Sequence, residues 1–392
     1  MDLRLKQIAP PVLWLSLCWA HSFLFPRPFD DAKDCLFYLI AGIALASVSL
    51  RKIKTTPVVI VTFAYLVVCG LTFGTAFYEA FLAMIRVVLW CGFAYSLVFL
   101  DWKLVAKLSV VSAGGIALLS ILSVPWVLGW PWPWDKYMFY PVGHSSYYGV
   151  FMALHIPLAI YFISETKRWW WWPLLGLLFV GLFMSASRAA VLGTVVGVGF
   201  PVFLSVVAER SKARIVIAGL IVPLLVVGIL YFSGNKSERQ LLKPLISKFE
   251  TQRPGGLVPP GRKYTWKATL EMISEMPVLG HGIGNYRFAY PEYGHESGTA
   301  RRWIYHPHNE LLHQASEVGI VGMVIWVAGI VCLYLTGFIG LTKDRDPAAV
   351  ALGLCGLTVL FVAWQFDTTY LNALIRAMAA FYASLIIRRV VI

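Results

Sequence analysis

Residues 262–322 read RKYTWKATLEMISEMPVLGHGIGNYRFAYPEYGHESGTARRWIYHPHNELLHQASEVGIVG. This is the one long polar passage in a chain of 392 residues that is 59% hydrophobic and 14% charged. A soluble domain is nearer half apolar and a quarter charged. The composition therefore predicts an all-α, polytopic membrane protein, with this passage as an extramembrane loop. The passage holds five of the eight histidines: His281, His295, His306, His308 and His313. It also holds Arg262, Lys263, Lys267, Arg287, Arg301 and Arg302. Chemistry gathered in one loop of a membrane protein marks a working surface.

Outward from the loop, the apolar pattern predicts twelve spans: 11–25, 36–50, 57–77, 80–100, 104–124, 146–164, 169–186, 189–208, 214–233, 318–340, 348–366 and 370–387. The first two are short for a bilayer, which needs ~20 residues. Residues 1–233 then carry nine spans, 234–317 one long, partly helical loop, and 318–392 three more spans. About half of the 33 Lys and Arg lie in short loops that alternate along the chain. These include Arg51, Lys52 and Lys54; Lys103 and Lys107; Lys167 and Arg168; Lys343 and Arg345; and Arg388 and Arg389. The positive-inside rule makes these loops and both termini cytoplasmic, and places the long loop on the opposite face, the periplasm of a bacterium. The net charge of +13 is thus orientation plus an anion-binding loop, and does not imply nucleic acid. The partners implied are membrane lipids and an anionic substrate. The six cysteines lie in or beside apolar spans without CxxC spacing, so neither a disulfide framework nor a zinc motif is indicated. No cleavable signal peptide is evident.

The centre of the loop is HPHNELLHQASEVG, residues 306–319. Pro307 suits the first position of a helix, so the reading places His308 in the first turn. A helix start disfavours imidazolium and favours an anion nearby. A base beside an anion site suits transfer from a phosphate-activated donor. Arg262 and Trp266, four apart, share one face of a helix near 263–276 that Pro277 ends. Gly280, Gly282 and Gly284 follow, a turn able to bring backbone N–H groups to phosphate or sugar. His306 and His308 offer a two-residue chelate, but HExxH is missing, and no metal or cofactor is expected. No GxSxG elbow or nearby thiol offers a nucleophile.

Three further arginines converge on the same face. Arg188 stands in the tight join between spans seven and eight. Arg86 and Arg376 lie inside spans, each about six residues, or ~9 Å, from the outer end by the helical rise. Intramembrane arginines usually face a cavity or partner. The aromatic loop 125–146 also falls on this face, as an interfacial belt or a stack for sugars.

The motifs Arg262-x-x-x-Trp266, Pro277-x-x-Gly280-x-Gly282 and His308-Asn309-x-x-Leu312-x-x-x-x-Glu317-x-Gly319-x-x-Gly322 resemble those of the O-antigen ligase and polymerase superfamily. Gly143-His144-Ser145 resembles a further family element, although Ser146 stands where the family often has Asn. The resemblance implies a GT-C-like glycosyltransferase fold in the bacterial inner membrane, with its active site on the periplasmic face. It implies a glycan donor on undecaprenyl pyrophosphate and, for the ligases, a sugar hydroxyl of lipid A–core as acceptor. It maps the catalytic histidine onto His308 and the pyrophosphate-binding arginines onto Arg188 and Arg262, with Arg86 a weaker candidate. His306, Asn309, Glu317 and Trp266 are expected to support them. The implied mechanism is metal-independent and inverting. The 125–145 loop has no Arg, unlike the arginine-bearing loops of many polymerases, which favours a ligase. Polymerase, protein O-oligosaccharyltransferase and non-enzymatic flippase or exporter remain alternatives at this level.

The alternation of charge gives a direct test of topology. Reporter fusions at Lys212 and Lys343 should read cytoplasmic and one at Gly256 periplasmic; a cytoplasmic reading at Gly256 overturns the arrangement.

Overall fold

The computed structural model describes residues 90–129, 144–185, 187–208, 260–294, 304–343, 346–369 and 372–391, with residues 83, 87 and 142. Every regular element among them is helical. The principal helices are α1 (Trp102–Gly129), α2 (Ser145–Thr166), α3 (Trp171–Met184), α4 (Arg188–Ala208), α5 (Pro260–Glu275), α6 (Tyr286–Ala289), α7 (Glu310–Lys343), α8 (Pro347–Trp364) and α9 (Ala373–Val391). Four of them, in α1, α2, α7 and α8, are long and apolar enough to cross a membrane; α3 and the first part of α4 form shorter apolar helices. An all-α, membrane-integral protein is the result. Predicted spans five to eight and ten to twelve correspond to α1–α4 and α7–α9. The first three spans, the ninth, Arg86 and most of the 125–146 loop lie outside the described residues.

The apolar helices alternate in direction, and their ends sort into two groups. At one end the Lys103 ammonium lies 3.0 Å from the Glu165 carboxylate. There Trp102 Nε1 donates to Asp346 at 2.9 Å and Arg388 to the Leu100 carbonyl at 3.1 Å. Asp346 also caps α8 through the Ala349 N–H. This is the end of the short basic loops. The starts of α2, α4, α7 and α9 and the ends of α3 and α8 meet at the other.

Close helix contact rests on small residues, as expected where lipid weakens any hydrophobic drive between helices. Gly193 and Gly197, four apart on α4, face α8. A Cβ on Gly197 would stand 2.5 Å from Val359 Cγ2 and 2.9 Å from the Cys355 carbonyl oxygen. Gly353 of α8 plays the same part against Tyr382 and Ile386 of α9.

The polar segment docks onto this end through α7. The loop after α5 lies along the first turns of α7. His281 N–H donates to the Ser316 carbonyl and Gly282 N–H to that of Glu317, both at 2.9 Å, and Ile320 N–H returns to the Pro277 carbonyl at 2.8 Å. The last bond is possible because Gly319 breaks the helix with φ 70° and ψ 174°, freeing the N–H of residue 320 from the helical ladder. Gly280, at φ 69°, lies so close that a Cβ would stand 2.5 Å from the Glu317 carbonyl carbon and oxygen. A Cβ on Gly319 would collide with the Val278 carbonyl. The two glycines thus allow two backbones to lie against each other, and the N–H groups of His281 and Gly282 are consumed there. The glycine turn holds the loop in place; those two donors do not point at a phosphate or sugar.

Gly319→Ala combines left-handed strain, of order 1–3 kcal/mol, with a backbone clash. It should lower the thermal midpoint in detergent well below that of Gly176→Ala, whose added methyl meets nothing within 4 Å. Equal midpoints would remove the docking role.

Candidate functional site

The site begins with α5. Arg262, one turn in, donates from Nη1 to the Phe366 carbonyl at 2.6 Å. Trp266, on the same face, donates from Nε1 to the Pro307 carbonyl at 2.8 Å. One face of α5 therefore holds both the 304–309 segment and the loop after α8. Asn309 ties those two loops together. Its Nδ2 donates to the Gln365 carbonyl at 3.0 Å, while its Oδ1 accepts the Leu312 N–H at 3.0 Å.

That second bond makes Asn309 the cap of α7, and it corrects the sequence reading of His308. Asparagine is a strong N-cap, so the helix starts at Glu310 and Pro307 is not its first residue. His308 precedes the cap, at φ 56°, instead of lying in the first turn. A left-handed conformation is unusual for a side-chain-bearing residue. Here it turns the ring towards the loop after α8, where His308 Nδ1 lies 2.9 Å from Asp367 Oδ1.

Asp367 is the functional candidate that sequence reasoning missed. Its side chain is 4% exposed and that of His308 36%, so the carboxylate is sealed behind a partly exposed imidazole. Burial would push the Asp367 carboxyl up, but the hydrogen bond from His308 and the Arg262 guanidinium nearby outweigh it and hold the carboxyl well below the usual range. An ionised carboxylate only accepts hydrogen bonds. His308 Nδ1 must then carry a proton, so in the neutral ring Nε2 is the acceptor. The signal in the sequence was a lone carboxylate, Asp367, in the short join between spans eleven and twelve, on the face of the polar loop.

His306 lies against His308, ring centroids 4.5 Å apart and edge to face. Burial, with His308 beside it, pushes His306 down to about 3, so this ring is neutral. Its Nδ1 is buried and has no hydrogen-bond partner among the described residues. His144 lies close enough to interact electrostatically with His306, which brings the start of α2 to the site. His144 caps α2 by accepting the Ser146 N–H. One turn on, Gly149 packs on Ser185 and Ser187, the join that leads into Arg188. Arg188 is the exposed first residue of α4. Arg376, in the first turn of α9, is 7% exposed, and its carbonyl accepts from Trp90 at 2.9 Å.

Glu317 and His313 belong to the docking side of α7. Their side chains are 3.3 Å apart, and Glu317 Oε1 also accepts the Tyr286 N–H at 3.1 Å. Glu317 thus orients His313 and the start of α6, and supports the site from behind. His306, His308 and Asp367 each offer one donor atom, all within 4.8 Å of one another, and among the described residues they are the group able to hold a metal.

Residues 173–327 match the family model described as O-antigen ligase. The match covers that segment of the chain and supports its likeness to the O-antigen ligase and polymerase superfamily. No curated protein matches the chain significantly. The O-antigen ligase match takes in Arg188, Arg262, Trp266, His306, His308, Asn309 and Glu317, and leaves out His144 and Asp367. The dyad therefore joins a residue inside the matched segment to one beyond it.

The tautomer assignment is open to measurement. In Asp367→Asn protein the amide can donate to Nδ1, so His308 should move towards the Nε2–H form. Nitrogen-15 shifts of labelled imidazoles, with His308→Gln protein to assign the signal, read that change. An unaltered His308 tautomer would show that Asp367 does not set it.

Proposed function

We propose that the protein is an O-antigen ligase, transferring a glycan from undecaprenyl pyrophosphate to a sugar hydroxyl of lipid A–core. The observation that carries the reading is the His308–Asp367 pair at 2.9 Å, placed inside and beside an O-antigen ligase match. A partly exposed imidazole with one nitrogen fixed by a buried carboxylate is built to take a proton at the other. In this reading Nε2 removes the proton of the acceptor hydroxyl as its oxygen attacks the anomeric carbon. The bond to pyrophosphate breaks on the opposite face, with inversion. Arg262, fixed beside the dyad by the Phe366 carbonyl, and Arg188, at the start of α4, stabilise the departing pyrophosphate. Arg86 is a weaker candidate for the same task. Asp367 holds and orients the base. No metal is required, so chelator-treated protein transfers at its full rate.

The site faces the periplasm of the inner membrane in this reading, since it lies at the end of the bundle opposite the short basic loops. Both termini are then cytoplasmic, and twelve spans in a GT-C-like arrangement complete the fold.

Purified protein should transfer glycan from lipid-linked donor to lipid A–core without nucleotide or ion gradient. His308→Ala should lose roughly 10²–10⁴-fold in turnover and still bind donor. Arg188→Lys and Arg262→Lys should recover only part of what Ala removes, because a point charge cannot reproduce a guanidinium fork. Full turnover in His308→Ala protein overturns the mechanism. In a deletion strain, loss of all capped lipopolysaccharide marks a ligase; retention of single-unit caps marks a polymerase and overturns the ligase assignment.

A further inference from the structure

We propose that His306, His308 and Asp367 form a binding site for a zinc-class divalent cation, and that its occupancy arrests transfer. The second half rests on the reading of His308 as the base; the first does not.

Two imidazoles and a carboxylate are the nitrogen and oxygen donor set that zinc-class ions take when a fourth position stays open. Magnesium and calcium, which want oxygen ligands, do not fit. The three donor atoms lie within 4.8 Å of one another, and two of them, on His308 and Asp367, are 2.9 Å apart. A tetrahedral zinc ion keeps neighbouring ligand atoms about 3.3 Å apart. Side-chain shifts of under about 1.5 Å therefore close the set around an ion.

The second, independent observation is His306. Its Nδ1 is buried with no hydrogen-bond partner among the described residues, although an unsatisfied buried polar atom is costly. Coordination through Nδ1 would satisfy it; coordination through Nε2 would bring the ring into the same set. The bonds from Trp266 to Pro307 and from Asn309 to Gln365 hold the two ligand-bearing segments in register before any ion arrives. The nearby charge of Arg262 opposes a dication. Binding should therefore be weaker than in structural zinc sites, and reversible.

Occupancy removes the base whichever nitrogen of His308 is used. Coordination through Nδ1 displaces a proton and the Asp367 bond that fixes the ring. Coordination through Nε2 occupies the lone pair that would take the substrate proton.

The test uses the full chain in nanodiscs, stripped with EDTA and then titrated with Zn²⁺ or Mg²⁺ by calorimetry, with elemental analysis of bound metal. Expected is saturable binding of zinc, none of magnesium, and loss of that binding in His306→Asn and, separately, Asp367→Asn protein. Size-exclusion profiles establish that both variants fold. Added zinc should stop transfer by the unmodified protein, and EDTA should restore it. The activity left in His306→Asn protein, normalised to its own zinc-free rate, should resist zinc. No saturable zinc binding, or binding untouched by both substitutions, overturns the site. Stimulation of transfer by bound zinc overturns its inhibitory role. Zinc bound at these residues in a protein that transfers no glycan leaves the site standing and sinks the ligase reading instead.

Discussion

The hydrogen bond between His308 and Asp367 joins two parts of the chain that nothing in sequence brings together. Asp367 comes from the short join between two apolar helices. His308 comes from the polar segment that precedes α7. A carboxylate buried at the end of an apolar bundle must be paired or it loses its charge. His308 and Arg262 provide that pairing, and both lie on elements outside the apolar bundle. The loop after α8 and the polar segment therefore hold each other: Phe366 fixes Arg262, Gln365 fixes Asn309, and Asp367 fixes His308.

The same logic explains the glycines. Irregular backbone at membrane depth is tolerated only where its polar groups are bonded within the protein. The segment after α5 meets that demand by lying directly on the start of α7, exchanging bonds with Ser316, Glu317 and Ile320. Any side chain at 280 or 319 would separate the two backbones. Glu317 completes the joint from its side chain. The long motif thus divides into two kinds of residue. Gly280, Glu317 and Gly319 seat the polar segment, while Arg262, His308 and Asn309 face the loop after α8.

Much of this was legible in the sequence. Long uninterrupted apolar runs gave α1–α4, α8 and α9 close to their observed limits and the apolar part of α7, whose observed start lies eight residues earlier, at Glu310. The helix at 260–275 followed from its spacing and from Pro277. That Arg262 and Trp266 share one face of this helix followed from their spacing; what that face holds did not. Three things were not legible. Asp367 is 59 positions from His308, and no local pattern encodes such a pair. Pro307 is a good first residue and draws His308 into the helix, but Asn309 is the stronger local signal and puts the start three positions later, at Glu310. The glycine turn was read as an anion cradle because backbone N–H groups look available until their partners, distant in sequence, are known.

The left-handed backbone at His308 brings these strands together. Such a conformation costs of order 1 kcal/mol for a residue with a side chain, and it persists only where the surroundings over-determine it. They do so here on both sides. Before His308, the Pro307 carbonyl is held by Trp266; after it, Asn309 caps α7 and bonds to Gln365. With the backbone held at both neighbours and Nδ1 held by Asp367, the ring has little freedom left. An imidazole placed this way can accept and release a proton at Nε2 without reorienting, and the proposed base catalysis would profit from that absence of reorganisation. The same fixity makes the neighbouring His306 a liability: it stands a second imidazole beside the first with the carboxylate already in place. The geometry that suits the proposed proton transfer is, by the same placement of donor atoms, the geometry that suits the proposed metal.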